Sequence, residues 1–160
     1  MINRKNVFRI ILIILIASTV AFIFYQSILP PQKSGEVSDK VGDTIGEVIP
    51  PETTIGGFIQ KNVRKLAHFV EFFILGIFTS VYVVCFLPKF KYALHTLPMA
   101  FIIAAIDETI QIFSGRGPAV LDVWLDFSGF FTSSLILYLL STLVIFLAHK
   151  RRRRISESEA

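Results

Sequence analysis

Four stretches of the chain carry apolar side chains almost without interruption, and each has about the length of a membrane crossing. The first runs from Val7 to Gln26 with no charge after Arg9. About 20 helical residues rise roughly 30 Å, the thickness of a bilayer's hydrocarbon core. The second spans about 66–87, up to Pro88, where a helix should stop. The third spans about 92–113 and is broken by Ser114, Gly115, Arg116, Gly117 and Pro118. The fourth spans about 123–148 and meets a basic cluster, Lys150 to Arg154. A signal peptide is the rival reading of the first stretch, with Asn3, Arg4 and Lys5 as its n-region. An apolar core of ~7–15 residues would suit that reading, and this one is longer, so a retained helix is expected.

The segment between the first two stretches is patterned differently. Val41, Ile45, Val48 and Ile49 fall on one helical face, with Ser38 as a candidate cap and Pro50 and Pro51 as the stop. A short helix lying on the membrane interface is expected there; a flexible linker is the alternative. Ile55, Phe58, Ile59 and Val63 also recur at helical spacing, so the second helix is expected to begin turns before the bilayer.

Composition agrees with this pattern. The 160 residues are 53% hydrophobic, with 16 Phe, and the mean hydropathy is +0.65, which exceeds what a soluble domain of this length carries. The net charge of +4 comes mainly from basic residues flanking the apolar stretches, so it reports membrane topology and suggests no nucleic-acid partner. The lone Cys85 has no intrachain disulfide partner and reads as a core thiol. The expected fold is all-α: a polytopic four-transmembrane-helix bundle with a short interfacial helix in its first external loop. It forms one membrane domain over 1–155, with a disordered tail at 156–160.

Three basic clusters (Arg4, Lys5 and Arg9; Lys89 and Lys91; residues 150–154) fall on one side, which places both termini in the cytoplasm. Lys33, Lys40, Lys61, Arg64 and Lys65 in or beside the first external loop oppose that assignment. With either orientation, the charged residues of three stretches converge at one depth. Arg64, Lys65, His68 and Glu71 begin the second helix. Asp107, Glu108 and Gln111 end the third. Arg116 follows in the loop, and Asp122 and Asp126 begin the fourth. Arg64, His68, Glu71 and Leu75 step by 4, 3 and 4; so do Asp122, Asp126, Gly129 and Ser133. Gly129 and Ser133 form a small-xxx-small pair that allows another helix backbone close.

An Asp or Arg at mid-membrane costs on the order of 2.5–3.5 kcal/mol on insertion scales. Two readings explain why the chain carries several. One is a polar knot that locks helix register. The other is a polar cavity opening to the outer leaflet, the default for intramembrane ionisable groups.

Three strings now read together: Arg64, Lys65, His68, Glu71 and Phe72; Asp107, Glu108 and Gln111; and Gly115 and Arg116 with Asp122 six residues after the Arg. In order and spacing they resemble the VanZ family of bacterial membrane proteins, over roughly residues 60–135. Asp126 departs from the family's usual Asn four residues after the last Asp, which makes the locality more negative. The resemblance implies a bacterial plasma-membrane protein associated with resistance to teicoplanin and related glycopeptides, with no firmly assigned reaction.

Three functional classes stay open. In the first, the protein binds a lipid or lipid-linked envelope precursor, with Arg64, Lys65, Gln111, Arg116, Asp122 and Asp126 as ligand contacts; Arg suits phosphate by geometry. In the second it is an enzyme on such a headgroup, with His68, Glu71, Asp107 and Glu108 in general acid/base work. The obvious nucleophile is missing, Ser114 being the nearest hydroxyl. No cofactor is evident, though the carboxylates also suit a divalent cation such as Mg²⁺ or Ca²⁺. In the third it is a structural subunit. A transporter is not expected at this size without an internal repeat; a homo-oligomer stays open.

Overall fold

The computed structural model describes residues 3–116 and 120–158, with side chains as far as Arg151. Five helices follow one another: α1 (Arg4–Ile28), α2 (Pro31–Gly46), α3 (Thr54–Phe86), α4 (Phe90–Phe113) and α5 (Val120–Ser158). α1, α3, α4 and the Val120–Arg151 part of α5 are each long and apolar enough to cross a membrane. Their outward faces carry exposed Ile10, Ile14, Phe22, Ile102, Leu139 and Val144. Such faces suit lipid, where a helix satisfies its own backbone and needs only apolar side chains outside.

Local chemistry sets the ends. The Asn3 side chain accepts from Lys5 N at the start of α1. Thr53 caps α3, its hydroxyl oxygen accepting from Gly56 N at 3.0 Å. α3 thus begins about three turns before the expected position 66, despite Gly56 and Gly57. Pro88 ends it, since Pro has no N–H and disfavours helix in the residue before it.

α2 differs in detail from its expectation. It starts at Pro31, with Pro at the first helical position and Pro30 before it; a missing N–H costs nothing there. Ser38 therefore does not cap it. Its hydroxyl lies mid-helix and donates to the Ser34 carbonyl. Val48 and Ile49 fall beyond the helix, in the turn leading to Pro50. At the other end of the chain the backbone stays helical to Ser158, and the last two residues of the expected tail, Glu159 and Ala160, lie outside the described residues. Gly117 and Pro118 of the expected loop also lie outside them.

The helices are arranged around the bundle in the order α1, α3, α5, α4. α3 packs most extensively on α5; α1 touches α3 and α4, and α4 touches α5. α3 and α4, though joined by a very short connection, face each other across a diagonal. Close approach of α3 and α5 explains this. A Cβ on Gly76 would overlap Ser133 Oγ and the Phe130 carbonyl; one on Gly129 would overlap the Phe69 carbonyl. Ser80 and Ser134 hydrogen-bond between the two helices at 3.0 Å. Of the expected Gly129/Ser133 pair, Ser133 thus meets Gly76, while Gly129 meets the backbone at Phe69. The core below the polar residues comprises Ile23, Phe72, Leu75, Ala100, Ala104 and Phe130.

Candidate functional site

Paired contacts give the helix directions. Lys65 lies beside Asp122 and Ser80 beside Ser134, so α3 and α5 run parallel. Arg9 Nε donates to Tyr82 Oη near one end of the bundle, and Ser27 meets Asp107 near the other. α1 is therefore antiparallel to α3 and parallel to α4. These directions bring the ends of α1 and α4 and the early turns of α3 and α5 to one level.

At that level the polar residues form a connected cluster. Arg64 Nη2 donates to Gln111 Oε1 at 2.9 Å, and Gln111 Nε2 donates to Asp107 Oδ2 at 2.8 Å. Ser27 Oγ donates to the other oxygen of Asp107. His68 Nδ1 lies 3.6 Å from Asp107 Oδ2, 3.9 Å from Glu71 Oε2 and 4.0 Å from Asp126 Oδ1. One imidazole thus faces carboxylates from α3, α4 and α5. Asp107 and Asp126 are 0% and 1% exposed. Asp107 has two donors, whereas neither oxygen of Asp126 has a hydrogen-bond partner among the described residues. Glu108 and Gln111 are also buried.

Arg116 reaches the cluster through a C-terminal capping motif. Gly115, at φ 86°, takes the left-handed conformation after α4. Arg116 N then bonds to Gln111 O and Gly115 N to Ile112 O, the paired bonds of a Schellman turn. This folds Arg116 back across the bundle. Its Nη2 donates to Leu29 O at 2.8 Å and Gln26 O at 3.2 Å, satisfying carbonyls where α1 ends. Burial, then the nearby Arg64, push its guanidinium below the ordinary value, and Asp107 and Glu108 oppose this. It remains a cation, because arginine is effectively always charged.

A cavity of about 60 Å³ lies beside the cluster, roofed by Ser34, Val37, Ser38 and Val41 of α2 and lined below by Arg64, His68, Glu71 and Arg116. By that measure it has room for roughly four to six waters, or for one compact polar group.

The expected site residues accordingly divide. Arg64, His68, Glu71, Asp107, Gln111 and Asp126 meet, with Glu108 buried and Arg116 folded over the same end. Lys65 and Asp122 pair at the rim, 3.6 Å apart and part-exposed, where such a pair contributes little stability. Ser114 is no free nucleophile: its hydroxyl donates to the Gln111 carbonyl. Ser27 escaped the sequence reading. Its one signal was a Gln26, Ser27 polar pair closing an otherwise apolar helix.

These features define a class: an all-helical membrane protein with four helices long and apolar enough to span the bilayer and a buried, charged cluster at one end of its bundle. A family profile described as VanZ/LLP1 matches residues 8–141. The chain belongs to the VanZ-like family. No curated protein and no solved structure matches it.

Proposed function

We propose that the protein binds the phosphate-bearing headgroup of a membrane lipid or lipid-linked envelope precursor, at a site on the outer leaflet of the bacterial plasma membrane. One observation carries this reading: two guanidiniums, Arg64 and Arg116, line the same small cavity at the level where the helices end. Arginine is the side chain whose planar fork fits phosphate oxygens. α2 would lie on the membrane interface as the roof of that cavity, with Lys65 at its rim. Both termini would be cytoplasmic, as the three basic clusters favour. Such a binder suits resistance to glycopeptides and lipoglycopeptides of the teicoplanin type, because these drugs meet lipid-linked precursors at that leaflet.

The test is lipid retention. Full-length protein in phosphatidylcholine nanodiscs doped with phosphatidylglycerol or undecaprenyl phosphate should keep the phosphate lipid through native mass spectrometry. Arg64→Gln should lower that retention. Equal retention of the zwitterionic lipid, or no change in Arg64→Gln, would refute the reading.

An enzyme acting on such a headgroup is the second reading, favoured by His68 standing among three carboxylates, as general acid/base chemistry requires. Against it, Ser27, the hydroxyl nearest the carboxylates, is fully buried. Turnover of either phosphate lipid by the purified protein would establish it.

A further inference from the structure

Asp126 presents a chemical problem that neither reading solves. It is 1% exposed, it lies within a membrane-spanning helix, and neither of its oxygens meets a donor among the described residues. A buried carboxylate is normally compensated by a paired cation, several hydrogen bonds or a metal. Asp126 Oδ1 faces His68 Nδ1 at 4.0 Å, a nitrogen that itself has no hydrogen-bond partner among the described residues. His68 Nδ1 also faces Asp107 Oδ2. Donor atoms of His68, Asp107 and Asp126, from three different helices, all lie within 4.8 Å of one another.

We infer that His68, Asp107 and Asp126 form a binding site for one divalent transition-metal ion, with Glu71 as an adjacent third carboxylate. The geometry needs little adjustment. A cation with arms of ~2.0–2.2 Å wants its donors roughly 3.3–3.6 Å apart in a tetrahedral shell. The two His68 separations are 3.6 and 4.0 Å and all three donors lie within 4.8 Å of one another, so side-chain rotation closes the set on an ion.

The surroundings resemble the outer shell of a metal centre. Ser27 and Gln111 donate to Asp107, and Arg64 holds Gln111 in turn. Such chains fix a ligating carboxylate's orientation and tune its affinity. Arg64 and Arg116 stay on the cavity side. The imidazole nitrogen decides the class of ion: Mg²⁺ and Ca²⁺ prefer all-oxygen shells, whereas imidazole suits Zn²⁺ and its transition-metal neighbours, with Mn²⁺ a weaker-binding, spectroscopically visible stand-in. Asp107 and Asp126 do not line the cavity, while His68 and Glu71 do. The ion would therefore sit at the cavity floor. The inference does not depend on headgroup binding.

The chain has three histidines, and His95 and His149 lie exposed, away from the cluster. The test uses full-length protein without a histidine tag, in nanodiscs, with His95→Asn and His149→Asn so that His68 is the one imidazole left. Chelator-stripped protein should take up one Mn²⁺ per chain, with ¹⁴N modulation from a directly bound imidazole in its pulsed EPR spectrum. Zn²⁺ should displace it. Asp126→Asn should weaken binding by more than about 100-fold, and Ser27→Ala by roughly 10-fold, as expected for a ligand and for its outer shell. Failure of the folded protein to bind Mn²⁺ or Zn²⁺ one-to-one overturns the proposal, whatever the variants do. So does Mn²⁺ bound without the nitrogen signal, or affinity unchanged in a folded Asp126→Asn protein. Should Asp126→Asn not fold, the uptake and the nitrogen signal decide alone.

Discussion

Gly129 of α5 lies directly against the Phe69 carbonyl of α3, and this contact sets the depth at which Asp126 meets His68. One turn separates the two levels, so a side chain at Gly129 would push apart the helices that carry two members of the site. Gly129→Val should destabilise the protein by about 1–3 kcal/mol, the usual range for overpacking, measured by thermal denaturation in detergent. Gly35→Ala is the control: nothing lies within 4 Å of its Cβ position, and replacing a glycine inside α2 should stabilise by roughly 0.5–1 kcal/mol. Equal effects of the two changes would show that the close packing of α3 on α5 is unimportant.

Arg116 ties the α4–α5 connection to the end of α1 through the carbonyls of Gln26 and Leu29. Arg116→Gln should cost about 1.5–3 kcal/mol, the range for hydrogen bonds from a charged donor. Arg116→Lys should recover part of this, because an ammonium keeps the charge without the planar fork. A melting temperature unmoved in Arg116→Gln would show the contact to be energetically idle.

The two buried aspartates should respond differently to amide substitution. Asp107 accepts from Ser27 and Gln111. Asp107→Asn should lose about 1–3 kcal/mol, since an amide nitrogen in place of one oxygen leaves a donor facing a donor. Asp126 has no donor to lose among the described residues, so in chelator-treated protein Asp126→Asn should be neutral or stabilising. Parallel denaturation curves of the two variants check this. Equal destabilisation would mean that Asp126 belongs to the structural network after all.

At the rim, Lys65 and Asp122 form a part-exposed pair. Lys65→Ala should change stability by less than ~1 kcal/mol while lowering retention of phosphate lipid, if the rim lysine meets headgroups as proposed. A variant that unfolds, or one that retains lipid as wild type does, would remove Lys65 from the site.

Orientation can be read with a single reporter thiol. In a Cys85→Ala background, Glu52→Cys should react with a membrane-impermeant maleimide added to intact cells, and Lys150→Cys should react only after permeabilisation. The reverse pattern would place the polar end of the bundle at the cytoplasmic leaflet.

Much of the site was legible because charge is so costly in hydrocarbon that each polar residue of a membrane span carries information. His68 and Glu71, Asp107 and Gln111, and Asp122 and Asp126 sit at helical spacing near the ends of their spans, so alternating helix directions alone bring them to one level. Ser27 was not legible, because a hydroxyl in a helix is cheap and commonly bonds its own backbone. The start of α2 was missed because Ser38 competed with Pro31, and a proline at the first helical position is the stronger signal here.

The sequence by itself determined the helices and the depth of the charges, since hydropathy, span length and 3.6-residue periodicity are properties of each segment alone. It also marked one close-packing pair, Gly129 and Ser133. Only the tertiary structure decided what that pair meets. α3 chose the distant, parallel α5 over its neighbour α4, because Gly76 and Gly129 let those two backbones touch. The same choice brought His68 among the carboxylates of three helices and left Asp126 without a donor among the described residues. A charged cluster at one membrane face thereby became a site with specific partners, through contacts between segments that no single segment encodes.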